Sequence, residues 1–268
     1  MPASCYKEIK MSDALILEKQ GHTAIITMNN PPANTWTVES LKLLSETVNQ
    51  LNADREIFAL VLRSECEKFF CAGADLNLFA DGDRSMARDM ARGFGEAFEA
   101  LSNFRGVSIA AVNGFAMGGG LEVALACDIR VAEEHAQMAL PEAKVGLLPC
   151  AGGTQNLTML VGEGWAKRLI LLGERIKAPK AHEIGLVEEL VATGESFNRA
   201  LELARQAEQQ SPMSIAACKQ LIQNNRTQHW EAGYRLEREL FVDLFFTEDQ
   251  REGVNAFLEK RAPEWKNS

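Results

Sequence analysis

Two glutamates and a run of glycines have the residue types and spacing that could support catalysis. Glu122 is the one charged residue in an apolar, small-residue stretch that reaches back to Val107, and the glycines at 118–120 stand directly before it. A carboxylate is costly to remove from water unless neighbouring groups compensate it. A second carboxylate, Glu142, follows Pro141 further along the chain. We interpret this combination as a candidate reaction site.

The glycines at 118–120 allow two interpretations. They could simply form a tight turn into a packed helix. Alternatively, their unshielded N–H groups and the helix dipole could stabilise negative charge on a carbonyl oxygen. The small-residue turn at 71–75 could then supply a second donor. The fingerprints GxGxxG and GxxxxGK[ST] of nucleotide-binding loops are absent. Spacing alone leaves both interpretations open.

Composition sets limits on the class of protein. With 268 residues, 46% apolar and 24% charged, the chain is typical of a soluble globular protein with one large domain or a domain and an appendage. A net charge of −9 predicts that nucleic acid is not a partner. Six cysteines without a CxxC pair predict reduced thiols and no metal site, and the N-terminus shows no signal-peptide pattern. We therefore expect a cytoplasmic protein that does not enter a membrane.

Strands alternate with helices along the first two thirds of the chain. Apolar residues at spacings of three and four predict a helix over residues 38–52, and a second helical stretch follows Asp81 and ends near Asn103. Short continuous apolar runs are typical of strands buried on both faces. The alternation predicts an α/β fold with a largely parallel core sheet. The predicted strands are 15–19 and 23–28, which form a hairpin, and 57–62, 108–112 and 129–132.

From Ser196 onward the pattern changes to helix after helix. Ser211 and Pro212 have the residue types of a helix start, and Thr247 with Gln250 resembles a capping box. One of these helices carries a wide apolar stripe, made of Leu236, Leu240, Phe241, Leu244 and Phe245. Such a stripe needs cover, either from the chain's own core or from another subunit. The pattern leaves both possibilities open.

Two segments carry a family resemblance. Residues 70–76 and 110–122 closely resemble the two signatures of the enoyl-CoA hydratase/isomerase (crotonase) superfamily, and most of all those of an enoyl-CoA hydratase. The match continues in order through residues 128–130, 141–142 and 146–155 and then 181–187. It extends from Leu15 to Arg261, which is nearly the whole chain.

The resemblance implies a particular architecture and assembly. Residues 1–195 would form a catalytic core, a crotonase-like spiral of ββα units. Residues 196–268 would form a helical region for trimerisation. The resemblance further implies a homotrimer or a dimer of trimers.

The resemblance also implies the reaction and its catalytic residues. The substrate would be a coenzyme A thioester, and water would add across its 2,3-double bond, as in fatty acid β-oxidation. Coenzyme A is part of that substrate, so no separate cofactor is expected. The amides of Ala74 and Gly119 would form the oxyanion hole. Glu122 would activate water, and Glu142 would deliver a proton.

The remaining implied contacts bind coenzyme A. Most of them lie in or directly after the first signature: Ala72, Ala74, Asp75, Leu76 and Asn77. Gly118, just before the candidate helix, is another, and Phe257 and Lys260 would reach the coenzyme A of a neighbouring subunit. Three positions depart from the family pattern. Asn77 stands where many hydratases have lysine, Cys150 replaces a glycine, and Asn156 replaces a common arginine.

Other activities remain open on the same scaffold. An enoyl-CoA isomerase or a dehydratase is the nearest alternative, and a non-catalytic coenzyme A-binding or RNA-binding relative is a more distant one. Isomerases often need only one carboxylate, so the presence of Glu122 and Glu142 together favours hydration.

Overall fold

A computed structural model describes residues 9–10 and 14–268. In this part of the chain, short 3-10 turns at Leu76–Phe79, Glu142–Val145 and Leu244–Phe246 accompany the strands and helices. The strands are β1 (Ile9–Lys10), β2 (Leu15–Gln20), β3 (Thr23–Met28), β4 (Ala59–Ser64), β5 (Phe69–Cys71), β6 (Val107–Val112), β7 (Phe115–Met117), β8 (Ile129–Glu133), β9 (Gln137–Ala139), β10 (Ile176–Lys177) and β11 (Glu189–Val191). The helices are α1 (Val38–Ala53), α2 (Arg84–Ser102), α3 (Gly119–Ala126), α4 (Gly153–Leu171), α5 (Ala178–Glu183), α6 (Ser196–Glu208), α7 (Pro212–Asn224), α8 (Trp230–Asp243) and α9 (Glu248–Glu259).

A ββα unit repeats through the core. In the unit β4–β5–α2, the first strand joins a larger sheet and the second joins a smaller one, and β6–β7–α3 and β8–β9–α4 repeat this plan. The larger sheet has the order β1-β2-β3-β4-β6-β8-β11 and the smaller one β10-β9-β7-β5. Neighbours in the larger sheet are parallel from β3 onward. The predicted α/β spiral with a largely parallel sheet is confirmed.

Local sequence explains where the early elements begin. Thr37 and Ser40 cap α1 reciprocally, and the predicted apolar positions along this helix face the core. The strand predicted at 57–62 is wrong by two residues at each end, because β4 runs from Ala59 to Ser64. Its register follows β3, in which Thr23 pairs with Ala59. The pairing of β3 with β4 therefore starts only after the turn at His22.

Helix α6 covers the second face of the larger sheet. Its Ala200, Ala204 and Ala207 form a buried cluster with residues of the central strands, such as Val61 and Ile109. Small side chains let a helix approach a sheet closely. The predicted division of the chain at 195/196 falls directly before this helix, and that division stays a prediction.

A turn between α2 and β6, residues 102–106, receives the C-terminal part of the chain. The Lys219 ammonium on α7 donates to the Phe104 carbonyl at 2.6 Å and to Asp128 Oδ2 at 2.7 Å. Asp128 thus links α7 to the start of β6, because it also accepts from the Ser108 N–H group at 2.8 Å. Arg105 in the turn donates to Asn267 Oδ1 at 2.8 Å. These contacts fasten α7 and the C-terminal tail to the core.

Large apolar side chains remain exposed on α8, on the 3-10 turn after it and on α9. They are Trp230, Tyr234, Phe241, Val242, Phe245, Phe246, Val254, Phe257 and Leu258. The predicted apolar stripe is therefore covered only in part by this chain: Phe241 and Phe245 are exposed, whereas its three leucines are half-buried. None of the helices described is both long and apolar enough to cross a membrane.

Candidate active site

The first turn of α3 lies in backbone contact with the end of β5. A Cβ atom added to Gly120 would lie 2.0 Å from the Cys71 carbonyl oxygen, which no side chain tolerates. Gly118, just before the helix, has a φ of 53° and is also buried. Glycines are thus required here for close approach and for the turn. The interpretation of the glycine run as a tight turn into a packed helix is confirmed, and the role of its amides in binding a carbonyl oxygen stays a prediction.

The second small-residue turn meets the first. Gly73 has a φ of 96°, and a Cβ atom added to it would lie 3.1 Å from the Gly119 nitrogen. The sequence paired Ala74 with Gly119 as donors, and the structure brings their turns into contact. Neither N–H group donates a hydrogen bond to any residue that the structure describes.

The backbone around Ala74 directs its N–H group outward. Trp36 forms a parallel bridge with Ala74: the Trp36 N–H donates to the Gly73 carbonyl at 2.8 Å, and the Asp75 N–H donates to the Trp36 carbonyl at 3.1 Å. In such a bridge the central residue's own N–H points to the opposite side. The Ala74 amide is therefore available to a ligand.

Glu122 is buried and held by two backbone donors. Its side chain in the first turn of α3 is 2% exposed, and Oε1 accepts from the N–H groups of Ala151 at 2.8 Å and Gly153 at 2.9 Å. Burial raises the pKa of Glu122 above its ordinary value, and the two donors oppose that rise. A Cβ atom on Gly153 would lie 2.8 Å from Oε1, so this contact also requires glycine.

The burial of the Glu142 carboxyl group is compensated by far fewer hydrogen bonds than that of Glu122. It begins a 3-10 turn, and both of its carboxyl oxygens are buried without a hydrogen-bond partner among the described residues. Burial raises the pKa of Glu142 to about 7; its own backbone N–H partly opposes this, and the charge of Glu122 adds to it. A Cβ atom on Gly118 would lie 2.9 Å from Oε1 of Glu142. The two carboxyl groups thus interact electrostatically but lie in unlike surroundings, with Glu142 beside Gly118 and Glu122 beside Gly153.

The turn predicted to contact coenzyme A borders the site. Ala72, Ala74 and Asp75 are half-buried, whereas Leu76 and Asn77 are exposed. Asp75 Oδ1 accepts from the Asn77 backbone at 3.0 Å and from its side-chain amide at 2.8 Å. The Asn77 side chain, at the position where relatives often carry lysine, is therefore turned back onto its own loop.

Phe257 and Lys260 are not part of the site within one chain. Phe257 is 83% exposed on the last turn of α9, and Lys260 closes that helix in a left-handed conformation with a φ of 56°. Their predicted contact with a neighbouring subunit's coenzyme A stays a prediction.

Two cysteines near the carboxyl groups hold their protons. Burial raises the pKa of the Cys71 thiol to about 12. Burial, with the charges of Glu122 and Glu142, raises the pKa of Cys150 to about 11. A thiol attacks as its thiolate, so neither group has the character of an activated nucleophile at neutral pH.

Sequence reasoning missed several residues that shape the site. The donors to Glu122, Ala151 and Gly153, lie in the segment 146–155, which matches a family motif but was not predicted to contact Glu122. A glycine pair opening a helix opposite a lone buried acid was the available signal. Trp36, which forms the bridge to Ala74, and Phe94, whose Cε1 atom would lie 2.9 Å from a Cβ atom on Gly119, carried no local signal, because their contacts join segments far apart in sequence.

Comparison with known proteins identifies the family. Residues 18–268 match the family model described as enoyl-CoA hydratase/isomerase. The chain belongs to the enoyl-CoA hydratase/isomerase family.

Individual relatives support that membership. The short-chain-enoyl-CoA hydratase of Clostridium acetobutylicum is 38% identical over 248 residues, which span 92% of this chain and 95% of the relative. A solved structure of Pseudomonas aeruginosa DspI is 62% identical with a TM-score of 0.93, covering 95% of this chain and 97% of that one. The crystal structure of an enoyl-CoA hydratase from Bacillus anthracis is 34% identical with a TM-score of 0.91, covering 95% of this chain and all of the other.

Proposed function

We propose that this protein is an enoyl-CoA hydratase, which adds water across the 2,3-double bond of a 2-enoyl-CoA thioester. The observation that carries the proposal is the pair of buried carboxyl groups of Glu122 and Glu142, whose charges interact, with Glu142 beside the Gly118 turn. Further support comes from relatives that are themselves named enoyl-CoA hydratases.

The bare amides would stabilise the charge that forms during the reaction. When the oxygen of water bonds to C3, the electrons of the double bond move toward the thioester carbonyl and create an enolate. The N–H groups of Ala74 and Gly119 would donate to that oxygen, and the N-terminus of α3 adds its positive dipole end. Loss of one such donor typically lowers kcat by about 10²- to 10³-fold.

The two carboxyl groups would divide the proton transfers. The two N–H donors at Glu122 oppose the rise of its pKa that burial causes, and its carboxylate would take a proton from water as the water attacks C3. Glu142, with its pKa raised to about 7, would hold a proton at rest and deliver it to C2. The enolate then collapses to the saturated thioester, and the proton gained by Glu122 must return to Glu142 through solvent.

The thioester would lie along the turn that follows β5. Contacts with coenzyme A are proposed for Ala72, Ala74, Asp75, Leu76, Asn77 and Gly118, and for Phe257 and Lys260 of a neighbouring subunit. Because Asn77 carries no charge and is bonded to Asp75, it would contribute little to holding a phosphate. No separate cofactor or metal is needed for this chemistry, so exhaustive dialysis against a chelator should leave the rate unchanged.

An assay with crotonyl-CoA and longer 2-enoyl-CoA thioesters tests the proposal. Hydration removes the absorbance of the conjugated thioester and adds the mass of one water. Glu122→Gln and Glu142→Gln should each lower the rate by about 10²- to 10⁴-fold while thioester binding is retained. The control Glu67→Gln changes an exposed carboxylate away from the site and should match the wild type.

Other outcomes of that assay would replace the proposal. Movement of the double bond without a change in mass would indicate an isomerase. No turnover of these thioesters, combined with release of water from a different 3-hydroxyacyl-CoA supplied separately, would indicate a dedicated dehydratase. Binding of coenzyme A or RNA without any turnover would indicate a non-catalytic relative.

We further propose that the chain assembles as a homotrimer or a dimer of trimers. Support comes from the exposed apolar side chains of α8 and α9, which need cover. Light scattering at micromolar concentration tests the mass of the assembly. A monomer would contradict this assembly without touching the proposed reaction.

A cytoplasmic location is proposed on chemical grounds. The buried thiols Cys66, Cys71 and Cys127 are free, as expected in a reducing compartment. Fractionation of cells that produce the protein tests this location.

A further inference from the structure

Three aromatic side chains connect the two turns that carry the bare amides. The first is Trp36, which is 2% exposed and whose backbone brackets Ala74 on both sides. Its indole Nε1 is buried near the Cys71 thiol but has no hydrogen-bond partner of good geometry within the described residues. The ring is therefore held by packing and not by a polar contact.

The next two rings belong to α2. Phe98 meets Trp36 edge to face, with ring centroids 5.9 Å apart and an interplanar angle of 69°. Phe94, one helical turn earlier, meets Phe98 in the same manner, at 5.4 Å and 73°. Edge-to-face pairs at these separations are favoured by the charge distribution of aromatic rings. All three side chains are at most 3% exposed.

The third ring ends against the other turn. A Cβ atom added to Gly119 would lie 2.9 Å from Cε1 of Phe94. The edge of the Phe94 ring thus packs directly on the backbone that carries the Gly119 N–H. A continuous line of contacts runs from Ala74 through Trp36, Phe98 and Phe94 to Gly119.

We propose that Trp36, Phe98 and Phe94 form an aromatic brace that fixes the relative position of the Ala74 and Gly119 amides. These are positioning residues, because none of them touches the reacting atoms. The inference rests on the proposed role of the two amides as donors to the thioester oxygen, and it adds the residues that set their geometry.

The physical reason lies in the directionality of hydrogen bonds. Two donors stabilise one oxyanion only when both N–H vectors converge on it, and the bond weakens steeply as the angle falls. Gly119 has no side chain of its own to restrain its backbone. Rigid rings in van der Waals contact supply that restraint, because planar side chains have few rotatable bonds. A flexible aliphatic residue at position 94 would leave the Gly119 turn free to shift.

The variant Phe94→Leu tests the brace. Because the donors remain but lose alignment, kcat for crotonyl-CoA hydration should fall by about 10- to 100-fold, less than complete loss of a donor, with KM changed by less than about threefold. In the C=O stretch of a bound acyl-CoA, measured by difference infrared spectroscopy, the shift to lower frequency should be smaller than in the wild type.

The matched control is Phe104→Leu. Phe104 is also fully buried, but it packs beside Lys219 and touches neither turn. It should lower the thermal midpoint about as much as Phe94→Leu does while kcat and the carbonyl frequency stay near those of the wild type.

The outcomes separate the brace from the proposed function. If the wild type hydrates crotonyl-CoA but Phe94→Leu keeps full kcat and the wild-type carbonyl frequency, the brace is wrong and the hydratase proposal stands. If both leucine variants lose kcat in proportion to stability, the brace is equally refuted. If the wild type itself does not hydrate 2-enoyl-CoA thioesters, it is the proposed function that fails.

Discussion

Glu122 and Glu142 are the same side chain in two electrostatic environments. One carboxylate accepts two backbone N–H groups, whereas the other has only its own backbone N–H nearby and no partner of good geometry within the described residues. Hydrogen bonds to the charged form favour ionisation, whereas burial without them favours the neutral acid. The surroundings thus suit one glutamate to act as a base and the other as an acid, although the sequence alone cannot show which of the two ionises more readily.

The pH dependence of kcat should reflect this division. Hydration needs a protonated Glu142, whose pKa is raised to about 7, so the rate should fall as pH rises through that value. It also needs an ionised Glu122, whose pKa is raised from 4.5, so the rate should fall again on the acid side at a pH above 4.5. We expect a bell-shaped profile whose two limbs belong to the coupled pair.

A profile of kcat between pH 4 and pH 9 checks this expectation, with Glu142→Gln as the comparison. Removing the titrating acid should abolish the alkaline limb of the residual activity. An alkaline limb that persists unchanged in this variant would assign it to another group.

At the scale of the elements, glycines decide how closely α3 approaches β5. Gly120→Ala places a methyl group 2.0 Å from the Cys71 carbonyl, so α3 must move or the chain must misfold. We expect little folded protein or a large drop in thermal midpoint. Gly164→Ala is the matched control, because a Cβ atom there meets nothing within 4 Å and α4 gains helix propensity.

Thermal unfolding followed by circular dichroism compares the two alanine variants. Equal stability of Gly120→Ala and the wild type would mean that the backbone contact between α3 and β5 can relax freely.

Local signals account for what the sequence predicted. The apolar period placed α1, continuous apolar runs placed β4 and β6, and a lone acid behind glycines marked Glu122. The strands of the smaller sheet were missed, because two or three residues carry no measurable period. The aromatic brace was missed as well, since its contacts depend on how α2 packs against α3 and against the segment before α1 that carries Trp36.

At the scale of the whole molecule, the C-terminal tail is part of the core's hydrogen-bonding network. Asn267 is completely buried: its side-chain oxygen accepts from Arg105 at 2.8 Å, and its backbone N–H donates to Asp249 Oδ1 at 2.9 Å. Its amide nitrogen donates to the Arg55 carbonyl at 2.5 Å. The core and the C-terminal helices should therefore unfold together.

Asn267→Gly tests this coupling. Glycine keeps the left-handed backbone, which has a φ of 58°, and removes only the side-chain contacts. Because a bond to a charged guanidinium is lost, we expect the free energy of unfolding to fall by about 2–3 kcal/mol. Unfolding should remain a single transition, with its midpoint at a lower denaturant concentration. The exposed Asn255 on α9 provides the control Asn255→Ala, which should change stability little.

Two separate transitions in denaturant, for the wild type or for Asn267→Gly, would mean that the C-terminal helices unfold independently of the sheet.

The carboxyl group of Glu142, buried without a good hydrogen-bond partner, favours the proposed catalysis but reduces the stability of the fold at neutral pH. A raised pKa means that the folded state favours the protonated form of Glu142. The contribution of this residue to stability is therefore complete below pH 4.5 and is lost as pH rises through about 7. At neutral pH and above, an uncharged residue at this position would therefore make the fold more robust and the site inert. The acid that the proposed reaction uses is therefore a residue without which the fold would be more stable at neutral pH.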